Sequence, residues 1–467
     1  MARLTLRGPR QPCQVLWSTD CAADTGVDSR LGRALAARLR QGGLTVFLGV
    51  VADDLTGATD VASMLRRAEM RTVLTVGPPD TPAGAGAEED AHIVALKSRT
   101  APPEVAVAES CAAADWLLSA GCQRLYFKYC STFDSTPCGN IGPVTDALLR
   151  RLSAEFTVAC PALPENGRTV YQGYLFVDGV LLSESHMRCH PLTPMTDSSV
   201  VRLLAAQSEG PVGLVSLPDV LGGPAAIRAR FTQLRSAGVR VAVLDAVRDR
   251  HLEMLAEACA DLPLITAGSG IAMGLARAYQ ARGWVRPDTD APLWSELSGA
   301  SAVIAGSCSA ATARQVRAWR AAGRQAVQVD PAAAVECDST VDDVLARALP
   351  GLSSGPVLVY STGAPDQVRV AQRQWGAERV GARIEAVLAG VARGLVKHGV
   401  DRLVVAGGET SGAVVAGLGV KRLHIGREIE PGIPWTRAEG RPLLLALKSG
   451  NFGSPDFFAT ALEVSAK

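Results

Sequence analysis

The sequence predicts an α/β protein of two domains, each a mainly parallel sheet flanked by helices. Three observations carry that expectation. Short β-branched runs recur from Val46 onward, polar glycine-containing turns follow them, and apolar residues at helical spacing come next. The 467 residues, 48% of them apolar, are enough to bury more than one core.

Residues 1–46 carry no strand-like run before Leu44-Thr45-Val46-Phe47 and read as an appendage without assigned function, with a start codon placed too far upstream as one reading. FLGVVADD, residues 47–54, is the first strand. Val61, Met64, Leu65 and Ala68 then fall at i, i+3, i+4 and i+7, which predicts a helix over 58–70. Further strands are expected in RTVLTVG, AHIVALKS, RLYFKYCS, FTVACPA, GPVGLVSL, VRVAVLDA and LPLITAGSG. The Gly/Ala/Pro-rich stretch 78–89 is expected to be a surface insertion, residues 168–177 a hairpin, and His190 to Met195 a proline-stiffened loop. Core periodicity stops between Ala281 and Ser301, which separates a first domain, 47–285, from a second, 300–467. There SAVIAGS, QAVQVD, PVLVYST, RLVVAGGE and PLLLALKSG restart the strands. Val380, Ile384, Val387, Leu388, Val391 and Leu395 mark a long amphipathic helix.

Forty-seven basic against forty-six acidic residues leave a net charge of +1, which removes the electrostatic case for nucleic acid or an anionic membrane and favours a small-molecule partner. Neither a run of eighteen apolar residues nor a secretory signal is readable, so the expected compartment is the cytoplasm. Eleven cysteines without a CxxC pair fit reduced thiols there. His186, Cys189 and His190 lack a second ligand pair, so metal ligands are left unknown.

The sharpest chemical feature is ADDLTGATD, residues 52–60. It puts two carboxylates, Asp53 and Asp54, at the carboxyl end of a strand before a helix, where open parallel sheets bind ligands. Side chains alternate along a strand, so one acid is expected in the crevice while the other caps the turn. Asp60 reads as a helix-capping acid. Lys97 to Thr100 (KSRT) and the segment 126–136 (YFKYCSTFDST) follow strands too, and a lysine inside an apolar strand end, Lys128, needs an anion: the substrate, Asp53 or Asp54. TAGSG, 266–270, half resembles a dinucleotide fingerprint, but Met273 stands at the third glycine, so a nicotinamide cofactor is not expected. Three glycine- and hydroxyl-rich strand ends in the second half, at 306–309, 407–412 and 448–453, would let a polyphosphate approach the backbone closely. There is no GxxxxGK[ST] and no HRD or DFG, which excludes P-loop and protein-kinase sites at the motif level.

From about Phe47 to Phe458 the chain resembles the four-carbon acid sugar kinase family, on GVVADDLTGATD, LKSRT, YFKYCSTFDST with GNIGP, HPLTPMTDS, TAGSG, AGSCS, AGGETSG and LKSGNFG in that order. The resemblance implies an N-terminal domain for the sugar acid, a C-terminal domain for ATP, and transfer of the γ-phosphoryl group to the C4 hydroxyl of a four-carbon sugar acid. A 3-oxo acid is the first expected substrate; D-threonate or D-erythronate is the alternative, and a two-domain sugar-acid sensor the non-enzymatic one. Carried over by motif, Ser307, Gly407, Gly408, Glu409, Thr410 and Gly450 would contact ATP. Asp53, Asp54, Arg99 and Lys128 would face the substrate, with Thr56, Ser131, His190, Gly268 and Ser269 beside them. Asp53 or Asp54 would accept the hydroxyl proton, Arg99 or Lys128 would hold the substrate carboxylate, and Mg²⁺ would bridge the phosphates near Glu409. Closure of the two domains would exclude water. A homodimer is left open.

Overall fold

In the first half, eight strands whose both faces are covered read as continuous apolar runs rather than alternating ones, and they pair in parallel. The computed structural model describes residues 46–79, 89–190, 193–289, 297–337, 339–361, 370 and 372–463. The appendage reading of 1–46 therefore falls, apart from Val46, outside the described residues. In chain order the strands of the first half are β1 (Leu48–Ala52), β2 (Thr72–Val76), β3 (Ala91–Ala95), β4 (Arg124–Lys128), β5 (Thr157–Cys160), β6 (Arg168–Tyr171), β7 (Tyr174–Val177), β8 (Val180–Leu181), β9 (Val212–Val215), β10 (Val241–Leu244) and β11 (Leu264–Ala267). The second half contributes β12 (Ala300–Ala305), β13 (Ala326–Gln328), β14 (Val357–Tyr360), β15 (Val400–Ala406), β16 (Arg422–Glu430), β17 (Ile433–Ala438) and β18 (Leu444–Lys448). Every strand expected from the sequence forms. The 168–177 hairpin forms as β6 and β7 and gains β8 as a third antiparallel strand.

The two halves are not separate sheets. Fifteen strands form one sheet in the order β13-β14-β12-β15-β18-β17-β16-β2-β3-β1-β4-β11-β5-β10-β9. The join is an antiparallel ladder, Arg422↔Thr75, Leu423↔Leu74 and His424↔Val73, between β16 and β2. The antiparallel hairpin β16–β17 that makes this join has no counterpart among the expected strands: the apolar residues of β16 are separated by His424, Arg427, Glu428 and Glu430, and the largely buried β17 is broken as a pattern by Pro434 and Arg437. Leu44–Lys467 accordingly clusters as one unit. The insertion expected at 78–89 is described only at its ends. Glu89 is buried rather than on the surface: its carboxylate takes the Arg422 guanidinium across the join and the His92 Nδ1 on β3, the latter at 2.5 Å.

Eight helices bear on the site: α1 (Leu55–Arg67), α2 (Pro103–Ser119), α3 (Ile141–Arg151), α4 (Ala272–Ala281), α5 (Ala310–Ala321), α6 (Ala377–Lys397), α7 (Gly408–Gly417) and α8 (Phe457–Glu463). Helix α1 starts and ends three residues before the expected 58–70. The Asp54 side chain accepts the Gly57 amide at 2.6 Å and so nucleates the first turn earlier, and Glu69 at φ 58° lies beyond the Ala68 C-cap. This helix packs on β2 and β3 of its own half and on β16, β17, β18 and α7 of the other.

Candidate functional site

Strand β1 ends at Ala52, and the two following carboxylates part as pleating demands. Asp53, 4% exposed, is held by a bidentate Arg99: Nε to Oδ2 at 3.0 Å and Nη2 to Oδ1 at 2.9 Å. Asp54 turns the other way, caps α1, accepts the Thr56 hydroxyl on Oδ2 at 3.0 Å, and pairs with Arg99 Nη2 at 2.8 Å through Oδ1. Burial works against the Arg99 charge, but Asp53 and then Asp54 outweigh it and hold the guanidinium well above its ordinary pKa. The loop carrying Arg99 is fixed from two sides. The amides of Ser98 and Arg99 bond the Asp53 carbonyl, and Asn140, at the start of α3, donates Nδ2 to the carbonyls of Ser98, Arg99 and Ala101.

Lys128 ends β4, next to β1, and is 2% exposed. Its nearest carboxylate is neither acid expected from the sequence. Asp60, one turn into α1, lies with Oδ2 at 3.8 Å from Nζ, so that residue is the lysine's counter-ion rather than a cap. The reason is helical spacing: Asp60 follows Thr56 by four residues and so shares its face of α1. Burial raises the Asp60 pKa, opposed by Lys128 and the Ser269 hydroxyl. Lys128 also donates to the Tyr129 carbonyl at 2.9 Å. A Cβ built on Gly57 would lie 2.5 Å from Asp54 Oδ1, 3.0 Å from Lys128 Nζ and 3.4 Å from Arg99 Nη2, so the three charged groups converge where only a glycine fits.

Ser131 and Gly268 lie together at the carboxyl ends of β4 and β11, a Cβ on Gly268 falling 3.5 Å from the Ser131 Cα. The 130–136 loop, to which Ser131 belongs, carries Phe133 at φ 64° and Asp134 at φ 25°, two consecutive residues in a costly backbone region. Ser269 is fully buried toward Asp60. The TAGSG glycines serve close packing: a Cβ on Gly270 would meet the Ala162 carbonyl at 2.4 Å. His190 stands apart. Its Nδ1 bonds the amide and hydroxyl of Thr193 in its own loop, and among the described residues no hydrogen bond or ion pair links that ring to the charged cluster.

The expected nucleotide residues converge at the carboxyl ends of β12, β15 and β18. Gly407, at φ 127°, lets α7 start abruptly beside Ser307, and a Cβ there would lie 3.2 Å from the Ser307 amide nitrogen. Thr410 sits under Gly306, where a Cβ would come within 2.1 Å of its hydroxyl. Gly450 adjoins Ser307 and Ser309 and accepts the Thr312 hydroxyl at 2.9 Å through its carbonyl. Lys448, the last residue of β18, is fully buried behind this loop, with Nζ donating to the carbonyls of Ser449 at 2.9 Å and Gly450 at 3.3 Å. Lys448 is not among the residues expected from the sequence to face a ligand, although it carries the same signal as Lys128, a lysine closing an apolar strand.

The two clusters face one another. A Cβ on Gly408 would lie 3.5 Å from Thr56 Oγ1 and 3.8 Å from Asp54 Oδ2, and Lys97 Nζ reaches across to Glu409 Oε2 at 3.1 Å. A cleft of about 510 Å³ opens there, lined among others by Asp54, Leu55, Lys97, Gly408, Glu409 and Ala413. Among the described residues no group of three His, Cys, Asp or Glu could hold a metal ion, and no helix is long and apolar enough to cross a membrane.

Residues 48–275 match the family model of a sugar-binding N-terminal domain and residues 302–458 that of a nucleotide-binding C-terminal domain. A Pseudomonas fluorescens 3-oxo-tetronate kinase is 52% identical over 416 residues, covering 89% of this chain and 96% of the relative. Its Cupriavidus necator namesake is 53% identical over 417 residues, with 89% and 96% covered. Among solved structures, one from Salmonella typhimurium LT2, described provisionally as a tRNA synthase, superposes with a TM-score of 0.79 at 44% identity, covering 89% of this chain and 98% of that one. The Haemophilus influenzae protein HI1011 gives 0.71 at 44% identity, with 89% and 99% covered. Identity at this level across nearly the whole of each relative, with both domain models matched in order, makes the chain a member of the four-carbon acid sugar kinase family.

Proposed function

We propose that this protein is an ATP-dependent kinase that phosphorylates the C4 hydroxyl of a four-carbon sugar acid, with 3-oxo-tetronate as substrate. One observation carries the reading: the glycine turn that opens α7 stands against the capping acid and Thr56 of α1, so a phosphate chain at Gly408 and a hydroxy acid at Asp54 would be neighbours. The names of the relatives support the acid, and the matched nucleotide-binding domain supports ATP. The net charge of +1 gives no support to a tRNA substrate.

In this reading the free amides at the start of α7 and the glycines of the 450 loop cradle the phosphates, which the helix N-terminus favours electrostatically. Asp53 has both oxygens on Arg99 and serves to hold that guanidinium. Asp54, whose Oδ2 faces Gly408, takes the proton from the C4 hydroxyl. Lys128 and Arg99, converging at Gly57, meet the substrate carboxylate. Asp54 and Glu409 flank Gly408, a donor set that suits a Mg²⁺ held mainly by phosphates and water, and the ion would neutralise phosphate charge.

The test is ATP consumption against a panel of 3-oxo-tetronate, D-threonate and D-erythronate, with ADP release as readout and phosphorus-31 coupling to the C4 protons locating the new ester. ADP formed only with the oxo acid is the expected result. Preference for a reduced acid would replace the substrate, and binding without ADP release would replace the enzyme by a sensor.

A further inference from the structure

Each half of the sheet ends one strand on a buried lysine. Lys128 has a carboxylate, Asp60, within 4 Å; Lys448 has none among the described residues. Its ammonium instead donates to three neutral oxygens: Ser449 O at 2.9 Å, Thr312 Oγ1 on α5 at 3.2 Å, and Gly450 O at 3.3 Å. Three donors thus meet three acceptors, and the residue is 0% exposed. Burying an ammonium with only carbonyls and a hydroxyl around it is costly, and the folded protein gains no ion pair from it.

What the arrangement achieves is to fix the direction of one loop. With the carbonyls of Ser449 and Gly450 drawn in toward Nζ, and the Gly450 carbonyl also held by Ser309 and Thr312, the peptide planes are set. The amides of Gly450 and Asn451 bond no other described residue. Gln315 straps the far end, Nε2 donating to the carbonyls of Phe452, Gly453 and Ser454. The Lys448 carbonyl in turn takes the Gly407 amide at 2.9 Å, tying this loop to the turn before α7.

We propose that Lys448 is the positioning residue of the nucleotide loop: its ammonium holds the carbonyls of Ser449 and Gly450 inward so that the neighbouring amides are presented to the phosphates of ATP, and its positive charge lies directly behind them. The inference rests on the kinase reading above. Burial pushes the ammonium down to about 7, with Glu430 opposing, so the cation is lost a little above neutrality in the free protein. Glu430 is the charged group that acts on it, and from α5 it meets only the hydroxyl of Thr312.

Lys448→Met keeps an unbranched side chain one atom shorter and removes the ammonium and its charge. Its KM for ATP is expected to rise by about tenfold or more, the size of one charged hydrogen-bonding interaction, while KM for the acid stays within about twofold. In the wild type, kcat/KM for ATP should fall as the pH rises from about 7 to about 9; in Lys448→Met that limb should vanish and leave only the titration of ATP itself. Thr312→Val, which takes away one acceptor of the ammonium and one tether of the Gly450 carbonyl, should raise KM for ATP in the same direction and decides the matter if the methionine variant does not fold. An active wild type with an unchanged KM for ATP in a folded Lys448→Met, or in Thr312→Val where the first is unfolded, overturns this role alone. A wild type that consumes no ATP overturns the kinase reading.

Discussion

At the scale of single residues, adjacent acids at the end of β1 have different work because one is spent on a guanidinium and the other looks across the cleft. Asp54→Asn should lower kcat by ~10²-fold or more with KM for ATP within about twofold, the usual size of a general-base loss. Steady-state kinetics on the purified variant check this, and near-normal turnover would return the base to Asp53. Lys448 makes a second prediction, in stability. Its folded pKa of about 7 lies below the ordinary value of 10.5, so between these limits the unfolded chain binds more protons and wild-type stability rises with pH. The cost of burying the ammonium is therefore fully present below about pH 7 and is relieved above it. Lys448→Met should show its largest gain in Tm over the wild type near pH 6, shrinking toward pH 9, as thermal melts across that range would read.

At the scale of elements, α1 is the part that joins the chemistry. Its cap is Asp54, its first turn carries Thr56 and Gly57, its second Asp60, and its body packs on strands from both halves. Gly57 is the residue of this helix with no room for a side chain. Gly57→Ala would ordinarily stabilise a helix by roughly 0.5–1 kcal/mol, but here the methyl meets Asp54 Oδ1 at 2.5 Å and Lys128 Nζ at 3.0 Å. The variant should lose both Tm and at least about tenfold in kcat/KM for the acid, since a misplacement of about 1 Å at a reacting centre is enough for that. A gain in Tm with intact kinetics would show that the cluster yields to a methyl group.

At the scale of the whole molecule, one ladder of three residue pairs joins the two halves into a single sheet, so any closure of the cleft would have to bend or twist about β2 and β16 rather than swing two free lobes. Glu89 secures that ladder: its buried carboxylate takes the partly exposed Arg422 guanidinium and the ring of the buried His92. Removing one partner strands the others in a buried site. Arg422→Met should therefore lower Tm by several degrees, and calorimetry should show the single transition broadening or dividing as the halves uncouple. An unaltered, single sharp transition would mean that the ladder holds without its charges.

Apolar runs of four to eight residues between glycine turns mark every strand except β8, β16 and β17, because such runs have few other ways to bury themselves. The sequence also set carboxylates, hydroxyls and glycines at strand ends in both halves, the position at which open parallel sheets take ligands. It told little of β16 and β17: the charges of β16 hide its strand character and find their partners both across the join, as Arg422 does with Glu89 and Glu428 with Ser63, and within their own half, as Glu430 does with Ser454. Pairing comes from the tertiary structure: Asp60 rather than Asp53 or Asp54 beside Lys128, Glu89 against Arg422, Gly408 against Asp54, and Lys448 with no carboxylate in ion-pair contact among the described residues. Hydrophobic pattern is a local property of the chain, whereas the energy of a charge depends on what lies within a few ångströms of it, and residues hundreds of positions away supply that neighbourhood.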